Sequence, residues 1–212
     1  MNRIKKILKI ETENPDRFDE AIRSDISFQG RRFWILFFAV LTACVGLNIN
    51  TKSIIIGAML ISPIMGPING LGYGLAIFDV DLIRDSVKNF AIAVLLTLFL
   101  SLFYFLISPE KVVTEEIMNR TNLSFFHAII GVTGGIVSVL AKSRKENNNV
   151  VPGVAIATAL LPPLCSTGFG IATGKFGIAV DSLLMFALYV VCMIIANTLT
   201  VRIIGIHESD IA

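Results

Sequence analysis

Charged residues are scarce: 16% of the 212 amino acids, where a soluble domain carries about 25%. Histidine occurs twice, at His127 and His207, far apart and with no HExxH-like spacing. The three cysteines, Cys44, Cys165 and Cys192, lie inside apolar runs, and no two have metal-ligand spacing. A disulfide framework and a zinc site are thereby excluded, and no metal or cofactor is expected. No nucleophile–base pair stands out, so an enzyme is not expected. The net charge of +2 offers no strongly basic face for nucleic acid. A cleavable signal peptide is also missing, because residues 1–32 are polar and charged with no apolar run before Phe33.

What is plentiful is apolar. Such residues make up 54% of the chain, and the mean hydropathy is +0.76. They come in continuous runs rather than at every second position, which points to membrane helices and not to a barrel. A bilayer core needs about 20 apolar residues per helix. Six segments are expected to cross: 33–49, 53–78, 89–108, 125–141, 150–174 and 178–204. The expected organisation is a basic arm (1–32) that lies at the membrane interface or in solution, a three-helix unit (33–108), a connecting loop (109–124), a second three-helix unit (125–205) and a short tail (206–212). With the arm in the cytoplasm and all six segments crossing, 14 Lys and Arg fall inside and 4 outside, a clear positive-inside bias. Making the second and fifth segments re-entrant hairpins weakens that bias, so full crossing is preferred.

The second unit echoes the first. Shifted by 96 residues without a gap, 57–86 falls on 153–182 with seven identities: Gly57, Pro67, Gly72, Gly74, Ala76, Asp85 and Ser86 in the first copy. Three segments per copy invert the second relative to the first. Inverted repeats with broken central helices are the architecture of many secondary transporters, with a site near the midplane. The expected fold is therefore all-α, six transmembrane helices in two inverted three-helix repeats, the middle helix of each broken by Pro and Gly.

The break residues supply the candidate site. Proline removes a backbone donor and leaves carbonyls without partners at membrane depth. Small polar residues gather beside the prolines: Ser62, Pro63, Pro67 and Asn69 in the first copy, and Thr158, Pro162, Pro163, Cys165, Ser166 and Thr167 in the second. The polar groups would contact solute and the prolines would expose backbone. A packing kink is the plainer use of one such segment; two in matching places favour a site. Asp85 and Asp181, each followed by Ser, read first as helix N-terminal acids and second as groups coupling a proton or cation. Asn89 and Asn197 are expected to bridge helices. Gly66, Gly70 and Gly74, Gly131 and Gly135, and Gly170 and Gly174 are spaced for close helix packing, within one protomer first and in an oligomer second.

The runs Gly57-Ala58-Met59-Leu60-Ile61-Ser62-Pro63-Ile64-Met65-Gly66-Pro67 and Pro152-Gly153-Val154-Ala155-Ile156-Ala157-Thr158-Ala159-Leu160-Leu161-Pro162-Pro163 resemble the two hallmark stretches of domain of unknown function 389. The resemblance covers roughly residues 33–205. It implies a bacterial or archaeal cytoplasmic membrane and carries no established activity. The expected function is a small secondary transporter or channel-like permease for a small ion or neutral solute. The alternative is a non-transporting oligomeric membrane module that binds lipid or protein partners. A homo-oligomer embedded in the lipid bilayer is expected in either case.

Overall fold

The computed structural model describes residues 15–27, 30–142 and 160–205. The described residues form nine helices: α1 (Pro15–Ile26), α2 (Arg31–Asn48), α3 (Lys52–Ile61), α4 (Met65–Ile77), α5 (Val80–Ile107), α6 (Glu115–Met118), α7 (Phe125–Lys142), α8 (Leu161–Ala172) and α9 (Phe176–Ile204). By length and composition α2, α5, α7 and α9 can each cross a membrane, and α3 with α4 makes a fifth, bent span or a re-entrant loop. Thus four spans, or five, are found where six segments were expected. Much of the fifth segment, 150–159, lies outside the described residues, Thr158 among it, as do the basic residues of the arm before Pro15.

The break in the second segment is where proline demands it. α3 ends at Ile61, Ser62 takes an extended backbone, and α4 starts at Met65 with the axis turned by 53°. Pro63 sits in the gap, and the residue before a proline is driven out of the helical region. Pro67 falls in the first turn of α4, where no intrahelical donor is missed. The same holds for Pro162 and Pro163, which occupy the first turn of α8. Pro63 stands in a break, while Pro67, Pro162 and Pro163 sit in the first turns of α4 and α8.

α5 begins nine residues earlier than the apolar run indicated. Asp79 is its N-cap, its carboxylate accepting from Leu82 N at 2.9 Å. Asp85 and Asp181 are therefore well inside α5 and α9, not at their starts, and both are exposed. The neighbouring Ser86 and Ser182 are the buried members of each Asp-Ser pair. The charged stretch 79–88 looks like a loop by composition. An amphipathic first two turns, with Leu82 and Ser86 turned inward, keeps it helical.

The packing is close because glycines face backbone and side chains of neighbouring helices. A Cβ on Gly72 would overlap Asn197, and one on Gly168 would overlap Ser101; a Cβ on Gly74 would meet Ile83, and one on Gly170 would meet Ala179. Both partners differ by 96 residues in each set, so Ser101 stands to Gly168 as Asn197 stands to Gly72, and Ala179 to Gly170 as Ile83 to Gly74. The left-handed turns obey the same offset: Phe78 (φ 63°) closes α4 and Gly174 (φ 69°) follows α8. Most of the other glycines singled out by spacing are likewise used inside the chain. Gly66 faces the Asp25 carbonyl, Gly70 faces Ser86 and Ile26, Gly131 faces Cys192 and Gly135 faces Ala196.

α1 lies along α4. Phe18, Ile22 and Ile26 recur at i, i+4, i+8 and are buried with Tyr73, Ile77, Leu82, Val139 and Val201. Phe18 meets Tyr73 edge-to-face at 5.3 Å. Ion pairs fasten the C-terminal half of the helix. Asp25 meets Arg32 at 2.8 Å and also Lys142. Arg23 donates to Asp19 at 2.7 Å and to Asp79 at 2.6 Å. The Asp19 hydrogen bond, with Asp79 beside it, pushes the Arg23 guanidinium up, so it stays cationic at any working pH. Burial pushes the Asp79 carboxyl up, but the Leu82 amide and the Arg23 guanidinium together outweigh it and hold it below its ordinary value of 3.8.

The sign follows from linkage. A carboxyl whose folded value is depressed stabilises the fold above its unfolded value, and the contribution is lost as pH falls through the folded one. Replacing Asp79→Asn keeps an N-cap acceptor and removes the charge. The native chain is expected to hold α1 more tightly than the variant at neutral pH, by under about 1 kcal/mol because the pair is partly solvated. That advantage should begin to fade as pH falls below about 4 and be gone once pH has passed below the depressed folded value. Hydrogen exchange of the Phe18–Ile22 amides in both proteins across pH measures it; an advantage that persists in acid would refute the clasp.

Candidate functional site

A buried polar cluster is built from three helices. Asn69 lies in α4, Ser138 in α7, Asn197 in α9, and all three are buried. Ser138 Oγ is 2.9 Å from Asn69 Oδ1, 3.0 Å from Asn197 Oδ1 and 2.8 Å from the Gly135 carbonyl; Asn197 Nδ2 is 3.0 Å from Asn69 Oδ1. One hydroxyl proton cannot serve three acceptors. Turning both amides over brings two N–H groups onto Ser138 Oγ and lets its proton go to Gly135, and each of these groups then has a partner; amide orientation is assigned on such grounds. Thr198 extends the contact by donating to the Gly72 carbonyl at 3.0 Å. Asn197 therefore bridges helices as its position in an apolar run suggested. Asn89 donates to the Asp85 carbonyl of its own helix at 2.8 Å.

The remaining predicted residues divide by whether their polar atoms are satisfied. Thr167 is satisfied within α8, donating to the Pro163 carbonyl at 3.0 Å. Pro162, Pro163, Cys165 and Ser166 are wholly buried, and Cys165 lies against Cys44 of α2. The hydroxyl oxygens of Ser62 and Ser166 are buried with no hydrogen-bond partner, and so are those of Ser86 and Ser182. These four serines sit at the α3–α4 break and in α5, α8 and α9. A buried hydroxyl without a partner costs about 1–3 kcal/mol, a strong reason for water or solute to reach it.

Sequence reasoning named Ser62, Asn69 and Ser166 but passed over Ser86, Ser138 and Ser182. The offset between the copies carried the signal for Ser86 and Ser182, since both are among its identities. The acid of each Asp-Ser pair drew the attention that belonged to the hydroxyl. Ser138 had no sequence signal; it is a small polar residue in an apolar helix like many others.

A second polar cluster lies at the other end of the helices from α1. The connection 109–124 was expected to be a loop, but it holds the short α6 and folds back over the α2–α3 turn. Thr114 caps α6 and donates to the Leu47 carbonyl at 2.8 Å, and Asn50 Oδ1 accepts from Glu116 N at 3.0 Å. Asn50 takes a left-handed φ of 56°, which asparagine tolerates better than most residues. Glu116 is buried between Lys52 (3.6 Å) and Arg120 (3.3 Å). His127 accepts from Ser124 N at 3.1 Å through Nδ1 and meets the Tyr189 ring edge-on at 5.9 Å. Among the described residues no group of His, Cys, Asp and Glu has the composition of a metal site.

The family model described as Domain of unknown function (DUF389) matches residues 59–195. An uncharacterized protein of Methanocaldococcus jannaschii is 26% identical over 188 residues, which is 86% of this chain and 58% of that protein. The chain thus spans somewhat over half the length of this curated relative. No solved structure matches the chain.

Proposed function

The chain belongs to the family described as Domain of unknown function (DUF389), and on that premise we propose that it is a small membrane permease for a small ion or neutral polar solute. The observation that carries the reading is the set of unpartnered buried hydroxyls, Ser62 at the α3–α4 break, Ser86 in α5, Ser166 in α8 and Ser182 in α9. In a packed apolar interior such groups are normally satisfied. Four of them on four elements fit a path that admits water or solute. The recurrence of the glycine contacts and left-handed turns at an offset of 96 residues supports two like units, and an odd number of crossings per unit inverts one against the other. The positive-inside bias would put α1 in the cytoplasm, against the inward-facing half of α4.

The alternative, an oligomeric module assembled on glycine faces, has less to stand on. Apart from Gly174, the glycines with the right spacing already face neighbouring atoms of the same chain.

Accessibility tests the permease reading before any substrate is known. With Cys44→Ala, Cys165→Ala and Cys192→Ala as background, Ser62→Cys and Ser166→Cys are expected to react with a small membrane-impermeant thiol reagent in sealed vesicles. Ala93→Cys, wholly buried in the apolar core, is the unreactive control. Protection of both new thiols until the protein is unfolded would mean dry packing and would end the permease reading.

A further inference from the structure

We propose that α1 is a reversible lid over the α4–α5 side of the bundle, and that its undocking admits water to the Ser86 hydroxyl. The helix covers that hydroxyl directly. Gly70 has no Cβ, and Ile26 and Ser86 Oγ share the space one would fill; one turn earlier, the Asp25 carbonyl fills the corresponding space at Gly66. Phe18, Ile22 and Ile26 are buried with Tyr73, Ile77 and Leu82. Ser86 is thereby wholly buried, although it lies within the first two turns of α5.

The seam is built so that it can part. Burial of three apolar side chains favours docking. Against that, the docked state leaves Asp19 Oδ1, the Tyr73 hydroxyl and Ser86 Oγ buried without a hydrogen-bond partner. Each carries a desolvation penalty that water removes, so part of what undocking loses in apolar burial it regains in hydration. The ion pairs that close the seam lie at its edge: Arg23 with Asp79, and Asp25 with Arg32 and Lys142. Partly solvated pairs of this kind are individually weak. The chain enters α2 through Gly30, whose φ of 57° suits glycine and where an added Cβ would meet nothing within 4 Å. Nor do the two like units call for this helix. Shifted by 96 residues, α1 falls on 111–122, which hold only the four-residue α6 and fold over the α2–α3 turn. α1 therefore covers one side alone, as a gate does.

The lid takes its purpose from the permease reading, but its test reads the lid alone. In the background lacking Cys44, Cys165 and Cys192, Ser86→Cys in lipid nanodiscs is treated with a small water-soluble thiol reagent. Slow reaction is expected, from the undocked state. Lys142→Ala and Arg23→Ala should each speed it about threefold, and together about tenfold, since each removes one weak pair from the docked state. Lys142→Arg and Arg23→Lys keep the charges and should react near the native rate. Fast reaction with every ion pair intact would overturn the lid, as would no reaction in any variant until unfolding. Equal acceleration by the charge-keeping variants would overturn it too, and so would an equal rise at Ala93→Cys in the apolar core, which would mean general loosening. Protection of Ser62→Cys and Ser166→Cys, by contrast, would end the permease reading and leave the lid standing.

Discussion

Gly170→Ala is expected to destabilise the protein more than any other single methyl addition at the α8–α9 hairpin. The added Cβ would lie 2.5 Å from Ala179 N, 2.8 Å from Ala179 Cα and 2.9 Å from Ala179 Cβ. Two of those three atoms are backbone, so no rotamer change relieves the overlap and the two helices must separate. Overpacking of this kind costs about 1–3 kcal/mol and more where backbone must move. α8 is buried along nearly its whole length, so a shift there disturbs α5 and α2 as well as α9. Gly177→Ala is the matched control, seven residues on. A Cβ there meets nothing within 4 Å, and its position is helical. Alanine is better than glycine in a helix by about 1 kcal/mol, so that variant should be neutral or slightly stabilised. Thermal unfolding of both in the same detergent decides it: equal melting temperatures would mean that α8 and α9 are not in the close contact described.

The second large effect is expected at the buried amides. Asn197→Ala removes the partner of both Ser138 and Asn69 and leaves a gap beside Gly72 and Gly135. Polar contacts between membrane helices are worth about 0.6–2 kcal/mol each, and an orphaned buried partner adds to that. A loss of about 2 kcal/mol is expected for Asn197→Ala, with a similar loss for Asn69→Ala. The double variant should lose clearly less than the two together, because one network is broken once. Denaturant unfolding of the four proteins provides the cycle. Strict additivity would show that the two amides do not share the Ser138 hydroxyl.

Two of these tests probe contacts that no single helix contains, and that marks the boundary of what could be read in advance. The family, the helical membrane class, the break at Pro63 and the 96-residue offset were all legible, because each is written in local composition: long apolar runs, a proline in mid-run, identities clustered on Gly, Pro and Asp. Ser62, Asn69 and Ser166 were legible too, as small polar residues close to the prolines of the two copies.

The inward and outward faces were not. A helix that is apolar on every side has no stripe to tell lipid from interior. So Asp85 and Asp181, read first as helix N-terminal acids and second as coupling groups, are exposed, while Ser86 and Ser182 beside them are buried. Nor could composition show that a loop between two spans would fold back and bury Glu116. The sequence by itself determined what kind of solvent this chain needs and where its helices must break, since both depend on hydropathy and backbone donors counted along the chain. Only the tertiary structure decided which polar groups meet, because Asn69, Ser138 and Asn197 are brought together by helix packing across more than a hundred residues, and close approach at glycine, not hydropathy, sets that packing.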